Sequence, residues 1–265
     1  MKKRTVVKML AAVLAASSVM PMAAYAETEI KVGCMASVYP YVFMDDDDNI
    51  VGYDVDLFAA IDDLLEDYTF TFENLEYAVL FESLSTGAVD MLTGSINRTA
   101  EREEKYVTPE EDSGFNVCSL VVRSDEEDIK SLDDMGGKKI AFDPTRAEYA
   151  TLKEWNEEHS DNPMIIDEMS DPSQADTMKM VADGREDAAL IYKDSFDDIQ
   201  KELSLDLVML DKPATKLPFT QLINPDMEGA EDLAAAISGA LVQLKEDGTL
   251  SELSEKWVGF DMFAE

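Results

Sequence analysis

TGSINRTAER, the stretch from Thr93 to Arg102, carries the strongest structural signal in the chain. The apolar segment Val89–Leu92 precedes it and predicts a strand, and Thr99 is a typical N-cap residue for the helix that follows. Arg102 would then lie in the first helical turn, where unpaired backbone N–H groups and the helix dipole favour an anion. Because a guanidinium fits a carboxylate in two-point contact, the stretch indicates an anion-binding site. The alternative, which these residues leave open, is a surface arginine paired with Glu101, Glu103 or Glu104.

The first 26 residues have the pattern of a secretory signal peptide. A basic start within residues 2–8 precedes the apolar run Met9–Met20, and Ala24-Tyr25-Ala26 is a small-x-small cleavage signal. The apolar run is too short to span a membrane. We therefore expect cleavage near Ala26 and a mature protein that is periplasmic or secreted.

The composition limits the possible partners. The 265 residues include 57 Asp and Glu against 22 Lys and Arg, and a net charge of −35 would repel nucleic acid and anionic lipid. One histidine, His159, and two cysteines argue against a zinc site or a histidine-dependent triad, so we expect neither a metal nor a cofactor. Cys34 and Cys118 either form a disulfide or remain two buried thiols.

Predicted strands and helices alternate along the mature chain, which is typical of an α/β fold with largely parallel sheets and crossover helices. Two segments, Leu84–Asp90 and Val181–Asp187, share the order helix, glycine cap, two residues, aspartate and strand, which fits two similar lobes. The predicted strands are residues 30–34, 41–43, 50–51, 70–72, 89–92, 115–123, 139–142, 164–166, 188–192 and 207–210. The predicted helices are residues 57–65, 80–84, 149–155, 175–182, 233–244 and 250–257.

Three groups of residues resemble the motifs of one known family. Residues 52–57 read Gly-Tyr-Asp-Val-Asp-Leu and are similar to a Gly-aromatic-Asp-x-Asp-Leu segment. Residues 84–90 and 99–102 resemble an "L..G..D" pattern followed by "T.ER", and residues 241–257 resemble a C-terminal helix, glycine and "KW" ending. The family is the extracytoplasmic solute-binding proteins of the polar amino-acid class, family 3 type, and the resemblance covers nearly all of residues 29–259.

The resemblance implies an α/β fold of the type II periplasmic binding proteins, with two lobes joined by two crossover strands. Lobe 1 would comprise residues 27–120 and 217–265, and lobe 2 residues 121–216. Each lobe would be a mostly parallel sheet flanked by helices, and the ligand would bind between the lobes, which close by hinge bending. The implied function is the substrate-binding component of an amino-acid ABC importer, a monomer that delivers a small amino acid or related carboxylate to a membrane permease.

The resemblance also assigns roles to individual residues. Arg102 would hold the ligand α-carboxylate, and Thr145, at the start of the first lobe 2 helix, would assist it. Tyr77, just before the "L..G..D" helix, would stack on the ligand. The loop before Arg102 would supply backbone and hydroxyl donors from Gly94, Ser95 and Asn97.

Two departures from the family pattern affect the expected ligand. The family's amine-binding aspartate falls at Tyr192, while Asp194 lies two residues later on the same side of an extended chain. Met35 and Val38 stand where an acid and an aromatic are often found. A cleft with so little negative charge predicts a preference for a neutral or apolar amino acid over lysine or arginine.

An enzyme on the same fold is the alternative function. Periplasmic dehydratases of cyclohexadienyl acids also hold a carboxylate with an arginine, and their chemistry needs a positioned general acid. Glu76 and Glu148 are the nearest candidates, and neither lies in a motif. We therefore favour a binding protein and do not expect an enzyme.

Overall fold

A computed structural model describes residues 27–264 of the chain. The predicted signal peptide, residues 1–26, lies outside the described residues. Among residues 27–264, none of the helices combines the length and apolar character needed to cross a bilayer.

Strands and helices alternate through most of the described chain. The strands are β1 (Thr28–Cys34), β2 (Ser37–Val38), β3 (Val42–Met44), β4 (Ile50–Val51), β5 (Tyr68–Asn74), β6 (Met91–Leu92), β7 (Gly114–Arg123), β8 (Lys139–Phe142), β9 (Ile165–Glu168), β10 (Ala189–Tyr192), β11 (Leu207–Phe219) and β12 (Leu222–Ile223). The helices are α1 (Tyr53–Asp62), α2 (Tyr77–Ser85), α3 (Ala100–Lys105), α4 (Tyr149–Glu158), α5 (Gln174–Ala182), α6 (Phe196–Leu203), α7 (Ala230–Glu246) and α8 (Thr249–Val258).

A first sheet has the strand order β12-β6-β1-β5. β1 pairs in parallel with both β5 and β6, while β12 pairs antiparallel with β6. A small antiparallel sheet, β2-β3-β4, includes a hairpin around Asp45–Asn49. The order β12-β6-β1-β5 is mixed rather than wholly parallel, because the returning C-terminal chain adds β12 at one edge.

A second set of strands is also mixed. β8 and β9 pair in parallel, and a parallel bridge between Ile140 and Ala188 joins β8 to the chain just before β10. β10 pairs antiparallel with β7, and β7 pairs antiparallel with β11. Side chains of β10 alternate between two apolar clusters: Leu190 faces the side of α4, and Ile191 faces the side of α5 and α6.

The buried apolar side chains separate into two groups along the sequence. The first group comes from residues 30–117 and 219–263, and it includes the inner faces of α1, α2, α7 and α8. The second comes from residues 118–214, and it includes α4, α5 and α6. β7 and β11 run between the two groups, with Gly114 opposite Phe219 at one end and Arg123 opposite Leu207 at the other.

The short sequence repeat has the same structural role in both groups. The Asp90 carboxylate accepts a hydrogen bond from the Lys31 N–H, and the Asp90 N–H donates to the Lys31 carbonyl, both at 2.9 Å. Asp187 makes the same pair of bonds with Lys139, at 2.8 and 3.0 Å. Each aspartate thus joins a helix-to-strand turn to the first parallel strand of its own group.

Several details, among them two strand boundaries, differ from the sequence-based expectations. β6 begins at Met91 rather than at residue 89, and β11 extends to Phe219 rather than ending near residue 210. Cys34 and Cys118 are both buried free thiols, so the disulfide alternative is wrong. Burial, with a smaller contribution from the nearby Asp54, raises the pKa of Cys34 to about 12.

Candidate functional site

The loop and short helix from Thr93 to Lys105 hold Arg102. Thr99 is the N-cap of α3, as predicted, and its hydroxyl accepts a hydrogen bond from the Arg102 N–H at 3.3 Å. The Thr99 carbonyl also accepts from the N–H groups of Arg102 and Glu103. α3 has only six residues, and Thr99 already uses two of its first N–H groups, so the candidate anion donor is the guanidinium rather than the helix terminus.

The Arg102 guanidinium is held by two contacts. One of its nitrogens donates to the Asn97 carbonyl at 2.6 Å, and its central carbon lies 5.9 Å from the centre of the Phe81 ring. The neighbouring glutamates have other partners: Glu101 pairs with Lys105 at 2.6 Å, and Glu103 pairs with Arg98 at 2.8 Å. Within residues 27–264, no ion pair of 4.0 Å or less involves Arg102, which favours the anion-site interpretation over a surface ion pair.

Asn116, on β7, connects the loop to the strands between the two core groups. Its side-chain oxygen accepts a hydrogen bond from the Ser95 hydroxyl at 2.7 Å, and its amide nitrogen donates to the Asn97 side-chain oxygen at 2.6 Å. The Asn97 carbonyl in turn holds Arg102. Sequence reasoning missed Asn116 because an asparagine within an apolar strand has no distinguishing motif.

A buried carboxylate lies beneath the loop. Asp54, in α1, is fully buried, and it accepts a hydrogen bond from the Ser95 N–H at 3.3 Å. Burial raises its pKa to about 7, against the opposing effect of donors from Ser95, Thr93 and Gly94. Gly94 and Ser95 both have positive φ, at 120° and 56°, a backbone conformation that is costly for a residue with a side chain. The hydrogen bond from the Ser95 N–H to Asp54 supports this turn.

Arg102 faces a cavity of about 590 Å³, which we call the large cavity because it is the larger of the two that predicted site residues line. Four predicted site residues line it together: Asn97, Arg102, Thr145 and Tyr192. The other lining residues are Phe81, Thr99, Glu101, Lys105, Tyr106, Arg146, Ala147 and Glu148. The walls come from both core groups, so the cavity lies between them.

A second cavity of about 410 Å³, the small cavity, shares Asn97 and Tyr192 with the first. Ser95 and Asp194 also line it, so six of the eight predicted site residues surround the two cavities. Its remaining lining residues are Ser37, Val38, Tyr39, Tyr41, Asn116, Gln174 and Ser195.

Tyr77 and Gly94 line neither cavity. The Tyr77 side chain is 65% exposed and packs edge-on against Phe81, whose ring lies beside Arg102. Phe81, one helical turn later in α2, lines the large cavity. The Gly94 backbone N–H helps to lower the pKa of Asp54, and the stacking role of Tyr77 stays a prediction.

Thr145 is fixed by the turn that precedes α4. Its N–H and its hydroxyl both donate to Asp143, each at 2.8 Å, and these bonds lower the pKa of the Asp143 carboxyl. The hydroxyl hydrogen of Thr145 therefore points at Asp143 in this structure. Its role as a carboxylate donor also stays a prediction.

The second core group also lines the large cavity with the polar side chains of Tyr192, Glu148 and Arg146. The Tyr192 hydroxyl donates to the buried Glu148 carboxylate at 2.5 Å, and the Arg146 guanidinium lies 5.3 Å from the centre of the Tyr192 ring. Burial, followed by the Glu148 charge, raises the pKa of Tyr192. Sequence reasoning did not identify Arg146, although it directly follows Thr145, because no motif includes it.

Asp194 is close to lobe 1. Its carboxylate accepts hydrogen bonds from the Tyr41 hydroxyl at 3.1 Å and from the Ser195 hydroxyl at 2.8 Å. Burial raises its pKa, which these two bonds partly oppose. The Tyr41 bond joins the two core groups across the small cavity.

Comparison with known proteins identifies the family. Residues 30–260 match the sequence pattern of the bacterial extracellular solute-binding proteins, family 3. The chain belongs to this family, as the resemblance of its motifs predicted, and the two-lobed type II binding-protein fold follows.

Several curated relatives match most of the chain. The L-cystine-binding protein TcyK of Bacillus subtilis is 26% identical over 232 residues, which cover 88% of this chain and 84% of TcyK. The probable amino-acid-binding protein YxeM of Bacillus subtilis is 30% identical over 238 residues, with 89% and 86% covered.

Solved structures are similar to this chain over most of its length. The probable amino-acid ABC transporter extracellular-binding protein ytmK from Bacillus subtilis has a TM-score of 0.74 at 26% identity, covering 88% of this chain and 99% of that one. A putative L-cystine ABC transporter protein from Listeria monocytogenes has a TM-score of 0.61 at 28% identity, covering 89% and 98%.

Proposed function

We propose that this chain is the extracytoplasmic substrate-binding component of an amino-acid ABC importer, and that it captures a small amino acid or related carboxylate for a membrane permease. The observation that carries the proposal is Arg102, an arginine without a carboxylate partner among the described residues, facing a cavity between two core groups. A guanidinium in that position fits the carboxylate common to all amino acids. Relatives that are named as amino-acid-binding or L-cystine-binding proteins support this function.

We propose the lobe boundaries expected from the sequence: lobe 1 from residues 27–120 and 217–265, and lobe 2 from residues 121–216. The division of apolar side chains near residues 118 and 214–219 supports them. The paired strands β7 and β11 would then form the hinge, since the chain passes between the lobes at those two strands.

The ligand would lie with its carboxylate at Arg102, assisted by Thr145 and by the loop of Gly94, Ser95 and Asn97. The expected preference against lysine and arginine gains support from Arg146, a cation that lines the large cavity, whereas Lys105 is already paired with Glu101. A positively charged ligand side chain would meet repulsion there and would also lose its hydration. A neutral amino acid, with L-cystine among the candidates, fits better.

A thermal-shift panel of the twenty common L-amino acids and L-cystine tests this function. A ligand at a hundred times its Kd adds about 2.7 kcal/mol to stability, which corresponds to a rise in Tm of about 5–10 °C for a chain of this size. We expect such a rise from at least one neutral amino acid. Larger shifts from arginine or lysine than from every neutral amino acid would contradict the ligand class, and the absence of any shift would contradict the function.

The dehydratase alternative keeps one supporting observation. Glu148 is buried in the same cavity as Arg102, whereas Glu76 is exposed at the start of α2. A general acid beside a bound carboxylate is what such chemistry requires. Incubation with cyclohexadienyl acids should give no product if the chain is a binding protein, and product formation would favour the enzyme.

We propose a periplasmic or otherwise extracytoplasmic location, after signal-peptide cleavage near Ala26. The family to which the chain belongs, described as extracellular, supports this location. Mass spectrometry of the exported protein should find a mature N-terminus at Glu27, and light scattering should find a monomer.

A further inference from the structure

The family pattern places an amine-binding aspartate where this chain has Tyr192, so the partner of the ligand's ammonium group is not identified by resemblance. A buried zwitterion needs a negative charge opposite its ammonium, because an unpaired charge is costly to bury. The acid must share a cavity with Arg102, since the carboxylate and ammonium groups of an amino acid are attached to the same carbon.

Two carboxylates line the large cavity with Arg102. Glu101 is paired with Lys105 at 2.6 Å, and its side chain is 78% exposed. Glu148 is 2% exposed, and within residues 27–264 no ion pair of 4.0 Å or less includes it. Glu148 is therefore the buried acid of this cavity, whereas Glu101 is exposed and already paired.

The Glu148 carboxylate is bound by the cavity wall rather than by its own helix. Glu148 is the N-cap residue of α4, but its side chain makes no capping hydrogen bond. Its carboxylate instead accepts from the Tyr192 hydroxyl across the cavity wall at 2.5 Å. In the family pattern this strand position carries the acid itself. Here Tyr192 occupies the position, and its hydroxyl binds Glu148 at the start of α4.

Asp194 is the competing candidate. It lines the small cavity rather than the large one, and its carboxylate already accepts bonds from Tyr41 and Ser195. The Tyr41 bond joins the two core groups, which gives Asp194 an inter-lobe contact of its own.

We propose that Glu148, positioned by Tyr192, binds the α-ammonium group of the ligand and so makes the site selective for amino acids over simple carboxylic acids. This inference rests on the proposed function, because it assumes an amino-acid ligand with its carboxylate at Arg102. Glu148 here replaces the strand-borne aspartate of the family pattern.

The test compares two ligands on matched variants. The first ligand is the amino acid with the largest wild-type shift in the panel of twenty L-amino acids and L-cystine, and the second is the same carboxylic acid without its amino group. Calorimetry with Glu148→Gln should show an affinity loss of about 30-fold or more for the amino acid, equivalent to about 2 kcal/mol, and little change for the second ligand. Glu158→Gln, an exposed change on the same helix, should bind both ligands as the wild type does.

Tyr192→Phe is the second variant, since it keeps the ring and removes only the hydroxyl that holds Glu148. We expect it to weaken amino-acid binding by a smaller factor, again without affecting the second ligand. Undiminished amino-acid affinity in a folded Glu148→Gln protein would overturn the inference. It would also be overturned if Asp194→Asn lost the selectivity for the amino acid over the second ligand while Glu148→Gln kept it. If no amino acid binds the wild type, the proposed function itself fails, and the inference fails with it.

Discussion

At Asp54, burial and hydrogen bonding act in opposite directions on a single carboxyl group. The side chain is fully buried, one of its oxygens has no hydrogen-bond partner, and the other accepts from the Ser95 N–H. Its pKa rises from 3.8 to about 7, because the loss of hydration outweighs the nearby donors. The folded protein therefore binds this proton more strongly than the unfolded chain does.

This difference in pKa predicts a pH-dependent stability. Between pH 3.8 and about 7 the folded state holds a proton that the unfolded state releases, so the contribution of Asp54 to the free energy of unfolding falls as the pH rises through that range. Each unit of pKa difference corresponds to about 1.4 kcal/mol. Urea unfolding of wild type and Asp54→Asn should show the wild type losing stability relative to the variant from pH 4 to pH 7. A constant difference across that range would contradict the assignment.

Sequence motifs identified some residues of the candidate site and missed others. The missed residues lie in segments without a motif and reach the site only through the packing of the fold. Thr99 and Arg102 follow from one stretch of chain, as does the N-cap geometry. Asn116 and Arg146 come from a strand and a turn whose sequences have no distinctive pattern. Their positions depend on how β7 and α4 pack across the cavity, and this packing is set by contacts distant in sequence.

Among the elements, β7 packs closely at Gly114 against Phe219 and Met262, which come from the C-terminal part of the chain. A Cβ atom at this position would lie 2.3 Å from the Phe219 ring and 2.7 Å from the sulfur of Met262. Phe219 is nearly fully buried between Tyr41 and Tyr53, so it has little room to move. This glycine is required by close packing.

We expect Gly114→Ala to lower the free energy of unfolding by about 1–3 kcal/mol through overpacking. Gly239→Ala is the matched control, because Gly239 lies in α7 and an added Cβ would meet no atom within 4 Å. That change should raise stability by about 0.5–1 kcal/mol, since glycine is unfavourable within a helix. Chemical denaturation measures both, and an equal effect of the two changes would contradict this account of β7.

Element boundaries were predicted best where apolar periodicity is strong. The strand Lys139–Phe142 was predicted with its observed bounds, and α5 begins one residue earlier than predicted. β11 was predicted only to residue 210, because Pro213 and Pro218 interrupt the pattern beyond it. In the structure, β7 pairs with the chain beyond residue 210 despite register shifts between Met209 and Pro213 and between Pro213 and Thr215. The extension of β11 to Phe219 therefore depends on its pairing with β7.

In the molecule as a whole, side-chain contacts join the two core groups. Tyr41 bonds Asp194, and the Lys193 ammonium lies 4.6 Å from the centre of the Phe260 ring. The large cavity lies between the groups, with Arg102 on one wall and Arg146 on the other. A ligand that touches both walls would favour closure.

We therefore expect the radius of gyration to fall when saturating amino acid is added. Small-angle X-ray scattering on wild type with and without the strongest ligand of the panel measures this change. Arg102→Ala at the same ligand concentration should keep the larger radius. An unchanged radius in the ligand-bound wild type would argue against hinge closure about β7 and β11.

The most direct test of the account is calorimetric titration of wild type and Arg102→Ala with the amino acid that stabilises the wild type most. Removing the guanidinium from its carboxylate should cost about 2–5 kcal/mol, or about 30-fold or more in affinity, while the protein stays folded. Arg185→Ala removes an exposed arginine away from both cavities and should bind as the wild type does. Undiminished affinity in a folded Arg102→Ala protein would contradict the central claim that this arginine holds the ligand.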